Sequence, residues 1–154
     1  MEYPRRHFFI KAAGVIAAFA AAGWIDPTLA DSVEWNKRAF DVKTLDELVG
    51  LLGGEPASIS EAIHFDAPDI AENGAVVPLA IVSAIPGTES IAILVEKNPN
   101  VLAAMFTLPE GTLPEIQARV KMAETCNVYA LVRAGGRSFY TAKEIKVTLG
   151  GCGG

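Results

Sequence analysis

The feature of this sequence that most restricts its fold is a series of short apolar runs, separated by turn signals, from Pro56 onward. Runs at 75–85 and 91–95 are rich in Val and Ile and flank Pro86-Gly87, a turn signal. A further run at 101–108 follows Asn98-Pro99-Asn100, a second turn signal. Several short strands with a turn about every eight to twelve residues predict a mostly β protein, an antiparallel β-sandwich.

The later part of the chain alternates between apolar and polar side chains with a period of two. This alternation covers 116–122 and returns at 145–149. The segments 128–133 and 137–142 flank Ala134-Gly135-Gly136, which is a hairpin signal because glycine tolerates a positive φ angle. No internal repeat or linker interrupts these strands, so 31–149 is predicted to be one domain.

A single helix is predicted before the strands, within 32–53. Apolar residues recur there at steps of three and four, and Gly53-Gly54 ends the run. Thr44 is a candidate N-cap, with Glu47 three residues later completing a capping box. We expect a break in this helix near Asp41-Val42.

The first thirty residues have the pattern of an export signal. Adjacent Arg5-Arg6 precede an uncharged run of 14 residues at 12–25, whereas a membrane-spanning helix needs about 20 apolar residues. A basic start, a short apolar centre and a small-residue exit describe a removable signal peptide, with cleavage expected after Ala30. The alternatives are an earlier cut at 20–22 or a membrane anchor.

The paired arginines of this leader resemble a twin-arginine signal. Residues 1–30 are therefore expected to direct the protein to the periplasm by the twin-arginine route. Once the signal is removed, no membrane anchor is expected.

Composition excludes one large class of function. The chain has 18 acidic and 13 basic residues and a formal net charge of −5, whereas nucleic-acid-binding domains present a basic face. Its 154 residues, 51% of them hydrophobic, suffice for one domain whose core needs no disulfide.

The sequence also has no nucleophile elbow, phosphate-binding loop or recognisable metal-ligand spacing. Neither a catalytic site nor a metal site is predicted.

The most specific motif is the segment 147–154, which reads Val-Thr-Leu-Gly-Gly-Cys-Gly-Gly. Glycine pairs on both sides of Cys152 predict a mobile arm at 150–154. Its thiol would reach roughly 10 Å from Leu149. No basic residue in this segment would stabilise a thiolate. These residues favour a carrier, whose chemistry is supplied by the active site it enters, over a thiol enzyme.

Two segments and the leader together resemble the SoxY family, the sulfur-carrier subunits of the Sox thiosulfate-oxidation system. The segments are 119–125, reading RVKMAET, and 147–154. The resemblance implies an immunoglobulin-like β-sandwich with an N-terminal helix. It also implies that Cys152 carries the sulfur intermediates covalently, with no other cofactor, on a flexible arm formed by Gly150, Gly151, Gly153 and Gly154.

The same resemblance implies a set of partners. The working unit would be a heterodimer with a SoxZ-like subunit. A SoxAX-like cytochrome would conjugate thiosulfate oxidatively to Cys152, and a SoxB-like sulfate thiohydrolase would release sulfate. A SoxCD-like sulfur dehydrogenase, where present, would oxidise the remaining persulfide. Catalysis would belong to these partners and not to this chain.

Three other functions compete with this interpretation. The first is an exported β-sandwich binding module in which Cys152 is incidental. The second is a cytosolic, ubiquitin-like sulfur carrier that uses a terminal carboxylate; the leader and Cys152 argue against it. The third is a small thiol enzyme, which the local sequence does not support.

Cys126 is the second cysteine of the chain. The interpretation we favour is a half-buried strand residue that behaves as a small hydrophobe. The alternative is a disulfide with Cys152, which an oxidising compartment would allow.

The remaining candidate residues have structural explanations. His64 is expected on the surface or on an edge strand, and Trp35 is expected to pack at the start of the helix. Asp66, Asp69 and Glu72 could bind calcium but lack EF-hand spacing, so a solvated acidic loop is expected. The apolar runs at 76–85 and 91–95 fit either an ordinary core or a sheet face that meets a second protein.

Overall fold

The structure is a computed structural model of the 154-residue chain, and it describes residues 37–52 and 55–149. The leader with Arg5 and Arg6, the side chain of Trp35, and the arm at 150–154 with Cys152 lie outside the described residues. The predictions on them therefore remain predictions. Among the described helices, none is long and apolar enough to cross a membrane.

The described chain forms a 3-10 helix, one short α-helix and nine strands. The 3-10 helix spans Lys37–Phe40 and helix α1 spans Leu45–Leu51. The strands are β1 (Ser58–Ile59), β2 (Ile63–Asp66), β3 (Ile70–Ala71), β4 (Val77–Ser83), β5 (Thr88–Val95), β6 (Leu102–Thr107), β7 (Glu115–Val120), β8 (Cys126–Ala134) and β9 (Arg137–Val147).

Helix α1 confirms the predicted N-cap but is shorter than the predicted helix. Thr44 has extended backbone angles, and its Oγ1 accepts a hydrogen bond from the Glu47 backbone N–H at 3.2 Å. The Glu47 carboxylate accepts from the Lys43 backbone N–H at 2.7 Å, one residue earlier than in a capping box. A turn at Asp41 and three non-helical residues separate the 3-10 helix from α1, which confirms the expected break near Asp41-Val42.

The strands form two sheets, which confirms the predicted β-sandwich. In the larger sheet, β9, β8, β5 and β6 pair in that order, all antiparallel, while β1 and β3 pair in parallel with the other edge of β9. In the smaller sheet, β4 lies between β2 and β7, again antiparallel. The parallel pairing of β1 and β3 with β9 was not predicted.

The main core lies between the two sheets. On β4, the side chains of Val77, Leu79 and Ile81 are buried, whereas Pro78 and Val82 are exposed. They pack with buried residues of β5, β8 and β9 in one apolar cluster. The run 76–85 thus buries one face only, as strands of an ordinary sandwich do.

A second core covers the opposite face of the larger sheet. Leu48 and Val49 of α1 pack in one cluster with Ala92 and Leu94 of β5. Every residue from Ile91 to Val95 is therefore buried, because β5 faces the smaller sheet on one side and the helices on the other. The continuous apolar run at 91–95 belongs to these two cores.

The hairpin between β8 and β9 has the predicted turn. Gly135 and Gly136 have φ angles of 56° and 73°, and the flanking residues Ala134 and Arg137 are paired. Two consecutive positive φ angles are the geometry that a tight two-residue hairpin requires. From this turn β9 runs without a break to Val147 and leads directly to the glycine-cysteine segment.

Candidate functional site at the end of β9

The candidate site begins where β9 extends past the end of its neighbour. The first residue of β8, Cys126, pairs with Ile145, so the residues after Ile145 have no partner on β8. Leu149 is the last described residue before the arm, and its side chain is 66% exposed. Other groups must therefore hold the backbone from which the arm begins.

Hydrogen bonds from side chains and from the segment 69–74 hold this backbone. The Val147 N–H donates to Thr125 Oγ1 at 2.9 Å. The Thr148 N–H donates to the Ala71 carbonyl at 3.1 Å, and the Gly74 N–H donates to the Leu149 carbonyl at 2.7 Å. The chain is thus held in place up to the residue that precedes Gly150.

The Thr148 side chain adds a further contact to the same segment. Its Oγ1 donates to the Glu72 carbonyl at 2.9 Å. The Gly74 carbonyl in turn accepts from the Met122 N–H at 2.7 Å. Met122 follows β7, so the segment that holds the end of β9 is bonded to the other sheet as well.

Lys143 of β9 ties down the beginning of this segment. Its Nζ donates to the Ala67 carbonyl and lies 2.9 Å from Asp69 Oδ1. The hydrogen bond and the positive charge of Lys143 lower the pKa of the exposed Asp69 carboxyl. Asp69 is therefore not simply a residue of a solvated acidic loop, because its carboxylate pairs with β9 and its carbonyl accepts from the Lys146 N–H at 3.0 Å.

Of the other polar candidates, His64 lies on an edge strand as predicted, whereas Asp66 ends a strand and does not lie in the expected acidic loop. His64 is exposed on β2, which pairs with β4 alone within the described part. Asp66, at the end of the same strand, is exposed. Within residues 37–52 and 55–149, no group of three His, Cys, Asp or Glu side chains could hold a metal ion.

Cys126 lies on a strand and packs as a hydrophobe, as predicted, but it is buried rather than half-buried. Its side chain is 4% exposed and belongs to the cluster between the sheets. Burial raises the pKa of its thiol, although backbone N–H groups at Lys97 and Glu96 oppose that shift. It is a free thiol in the structure, and the alternative disulfide with Cys152 lies outside the described residues.

Sequence reasoning missed the residues that hold the end of β9. Nothing local in the sequence marks Thr125, Thr148 or Lys143, because each contacts a group far away in the chain, as in the 76-residue separation between Thr148 and Glu72. Thr125 and Thr148 belong to the segments 119–125 and 147–154, but no individual role was predicted for either. A signal in the sequence is that threonines flank the site, one directly before β8 and one directly after β9.

These observations define a class of protein: a two-sheet β-sandwich in which an anchored strand end leads directly into a Gly-Gly-Cys-Gly-Gly segment. The family model for the sulfur oxidation protein SoxY matches residues 49–152, most of the chain, and this match includes Cys152. The chain belongs to the SoxY family.

One solved structure supports this assignment. The sulfur carrier protein SoxY from Chlorobium limicola f thiosulfatophilum is 38% identical, with a TM-score of 0.61, over 68% of this chain and 94% of that one. A superoxide reductase (neelaredoxin) from Ignicoccus hospitalis is 15% identical, with a TM-score of 0.49, over 64% of this chain and 97% of that one. The second similarity is too low to support a functional argument. No curated protein matched the sequence.

Proposed function

We propose that this chain is a periplasmic sulfur carrier that holds thiosulfate-derived intermediates covalently on Cys152 and presents them to the enzymes of a Sox system. The observation that carries the proposal is the anchored end of β9, which is followed at once by Gly150-Gly151-Cys152. Membership of the SoxY family and the similarity to a sulfur carrier protein support the same function.

The anchored strand end explains how such a carrier would work. Three residue steps separate Leu149 from Cys152, so the thiol travels at most roughly 10 Å from a fixed point. Glycines add no side chains, so the segment is thin enough to enter a narrow channel. A short tether on a fixed base also keeps the bound intermediate at a high effective concentration for an enzyme docked beside it.

The chemistry requires only a thiol from this chain. In the loading step, the Cys152 thiol and thiosulfate form an S–S bond and release one proton and two electrons, which a SoxAX-like cytochrome would accept. In the next step, water would replace the cysteine persulfide at the sulfone sulfur, releasing sulfate and a proton. A SoxB-like thiohydrolase would supply that active site. A SoxCD-like dehydrogenase, where present, would oxidise the outer sulfur of the remaining persulfide to a sulfonate with the oxygens of three water molecules, accepting six electrons while seven protons are released.

Cys126 supports the assignment of this role to Cys152, since the chain has only two cysteines. A thiol that is 4% exposed cannot meet an enzyme active site without unfolding. Its raised pKa also disfavours the nucleophilic thiolate. Cys152, flanked by the glycines at 150, 151, 153 and 154, is the remaining choice.

The proposal includes a location and a permanent partner. Arg5 and Arg6 would direct twin-arginine export, and a SoxZ-like subunit would form a heterodimer with the sandwich. Size-exclusion chromatography of this chain with and without a co-expressed SoxZ-like subunit tests the second point. A monomer whose elution does not change on co-expression contradicts it.

Thiosulfate oxidation in a reconstituted mixture tests the carrier role. We expect Cys152→Ser to abolish turnover. Cys126→Ser makes the same replacement of sulfur by oxygen, but at a buried position, and we expect it to retain turnover. Activity retained in Cys152→Ser would refute the proposal. Activity lost equally in both variants, with both folded, would refute the assignment of the role to Cys152.

A further inference from the structure

Asn73-Gly74 is a sequence in which a spontaneous covalent change is favoured, and it lies in the segment that holds the end of β9. Asn73 is exposed, whereas Gly74 is buried. The backbone nitrogen that follows an asparagine can attack the side-chain amide carbon, and a glycine hinders this attack least because it has no side chain. No other asparagine of the chain precedes a glycine.

The reaction requires water but no enzyme, metal or oxidant. The Gly74 nitrogen loses its proton and forms a bond to Cγ of Asn73, and the bond from Cγ to the amide nitrogen breaks to release ammonia. Water then opens the cyclic imide at either of its carbonyls. One product has aspartate at position 73. The other has isoaspartate, in which the main chain runs through Cβ and Cγ.

Hydrogen bonds of the folded protein oppose this reaction. The Gly74 N–H donates to the Leu149 carbonyl at 2.7 Å, and the Gly74 carbonyl accepts from the Met122 N–H at 2.7 Å. The Asn73 side chain is held as well, because its Oδ1 accepts from the Ala75 N–H at 2.8 Å. The nitrogen must give up the proton that it shares with Leu149 before it can attack, so this bond has to open first.

We propose that Asn73 is a deamidation site controlled by the end of β9, and that it reacts only when the bond between Gly74 and Leu149 opens. The rate in the folded protein is then the rate in an unfolded chain multiplied by the open fraction. The same opening exposes the Gly74 amide to hydrogen exchange. The inference is independent of the carrier function, since it concerns only the segments 69–75 and 147–149.

Isoaspartate at position 73 would in turn break the contact that controls its formation. Two hydrogen bonds join this segment to β9 on either side of Asn73. Thr148 Oγ1 donates to the Glu72 carbonyl at 2.9 Å, and the Gly74 N–H donates to the Leu149 carbonyl. Isoaspartate adds one carbon, roughly 1.5 Å, to the main chain between these two groups. Their spacing then no longer matches that of consecutive residues at the end of β9, which is released.

Timed incubation of the folded full chain at mildly alkaline pH, followed by peptide mapping, tests the control by β9. Thr125→Val removes the hydrogen bond from the Val147 N–H. We expect this variant to deamidate at Asn73 about 5 to 30 times faster than the unmodified protein, as the loss of one partly buried hydrogen bond predicts. Exchange at the Gly74 amide should accelerate by the same factor. A rate no higher than in the matched control Thr141→Val would overturn the proposal.

Two further samples show whether folding protects Asn73. A synthetic peptide with the sequence of residues 69–77 gives the unprotected rate, which we expect to exceed the rate of every folded protein. Asn73→Ser should show no change at this position, because serine keeps an oxygen for the Ala75 N–H but cannot form the imide. Equal rates in the peptide and in the folded protein would overturn the protection by Leu149.

The release of β9 is tested on the modified protein itself. Ion exchange separates it, since it carries one more negative charge, and labelling by an isoaspartyl methyltransferase identifies the isoaspartate form. We expect faster hydrogen exchange at the Thr148 amide in this form than in Asn73→Asp, which adds the charge without the extra main-chain carbon. Equal protection in the two would overturn the release. None of these measurements depends on Cys152, so the carrier function is tested separately by Cys152→Ser.

Discussion

Replacing Thr125 by Val tests whether the end of β9 is held as the structure indicates. Valine has almost the shape of threonine, but it cannot accept the hydrogen bond from the Val147 N–H, which is 2.9 Å long and partly buried. A backbone donor left unpaired in such a place costs about 1–2 kcal/mol. We therefore expect local opening at the end of β9 to become about 5 to 30 times more frequent.

Amide hydrogen exchange at Val147, Thr148 and Gly74, the three N–H donors of this strand end, measures this opening directly. Thr141→Val is the matched control, because Thr141 also lies half-buried on β9 but its side chain has no hydrogen bond within the described residues. We expect exchange at these three amides to accelerate only in Thr125→Val. Equal protection in both variants would refute the anchoring argument.

The same substitution has a consequence for delivery of the thiol. If β9 opens back to Val147, the free segment before Cys152 grows from three residue steps to five. The effective concentration of the Cys152 thiol at a docked enzyme falls as about the −3/2 power of the tether length. When the strand end is fully open, this effective concentration is therefore roughly halved. A much larger loss of kcat/KM in a folded Thr125→Val protein would show that Thr125 has another role.

Three further predictions concern stability and reactivity. Cys126 should resist alkylation in the folded protein at pH 8 and react after unfolding, and labelling of Cys126 in the native state would contradict its burial. Asp69→Asn should lower stability slightly at neutral pH, because the lowered pKa of the Asp69 carboxyl makes its ionised form stabilise the folded protein. In urea titrations, the difference in unfolding free energy between the two proteins should begin to shrink as the pH falls below about 4 and vanish once the pH is below the lowered pKa of Asp69. A difference that does not shrink with falling pH would exclude this ion pair as its source. Gly136→Ala should lower the free energy of unfolding by about 1–2 kcal/mol, because residue 136 has a φ angle of 73°. Gly50→Ala should raise it by about 0.5–1 kcal/mol, because Gly50 lies in a helix with open space around it. Equal melting temperatures for the two variants would contradict the turn geometry.

The sandwich was predictable because its strands carry a local pattern. In β7, alternate side chains pack toward the core while the polar ones are exposed, so burial follows the period of two that the sequence shows. The glycines at 135 and 136 marked the hairpin because a tight turn needs their positive φ angles. The N-cap at Thr44 was also readable, since it depends only on residues three apart.

The parallel strands β1 and β3 could not be predicted in the same way. Each has two residues, too few to show a period, and each exists only because it pairs with β9. The same limit applies to the site. The packing role of Cys126 could be predicted because a strand cysteine generally behaves as a small hydrophobe. The bonds of Thr148 and Lys143 to the segment 67–74, in contrast, join residues that are distant in sequence.

Intact-mass spectrometry of the protein purified from thiosulfate-grown cells tests the central claim most directly. The account predicts sulfur-containing additions that a reductant removes and that peptide mapping assigns to Cys152, with Cys126 unmodified in the same sample. A Cys152 that remains unmodified throughout thiosulfate turnover would contradict the account.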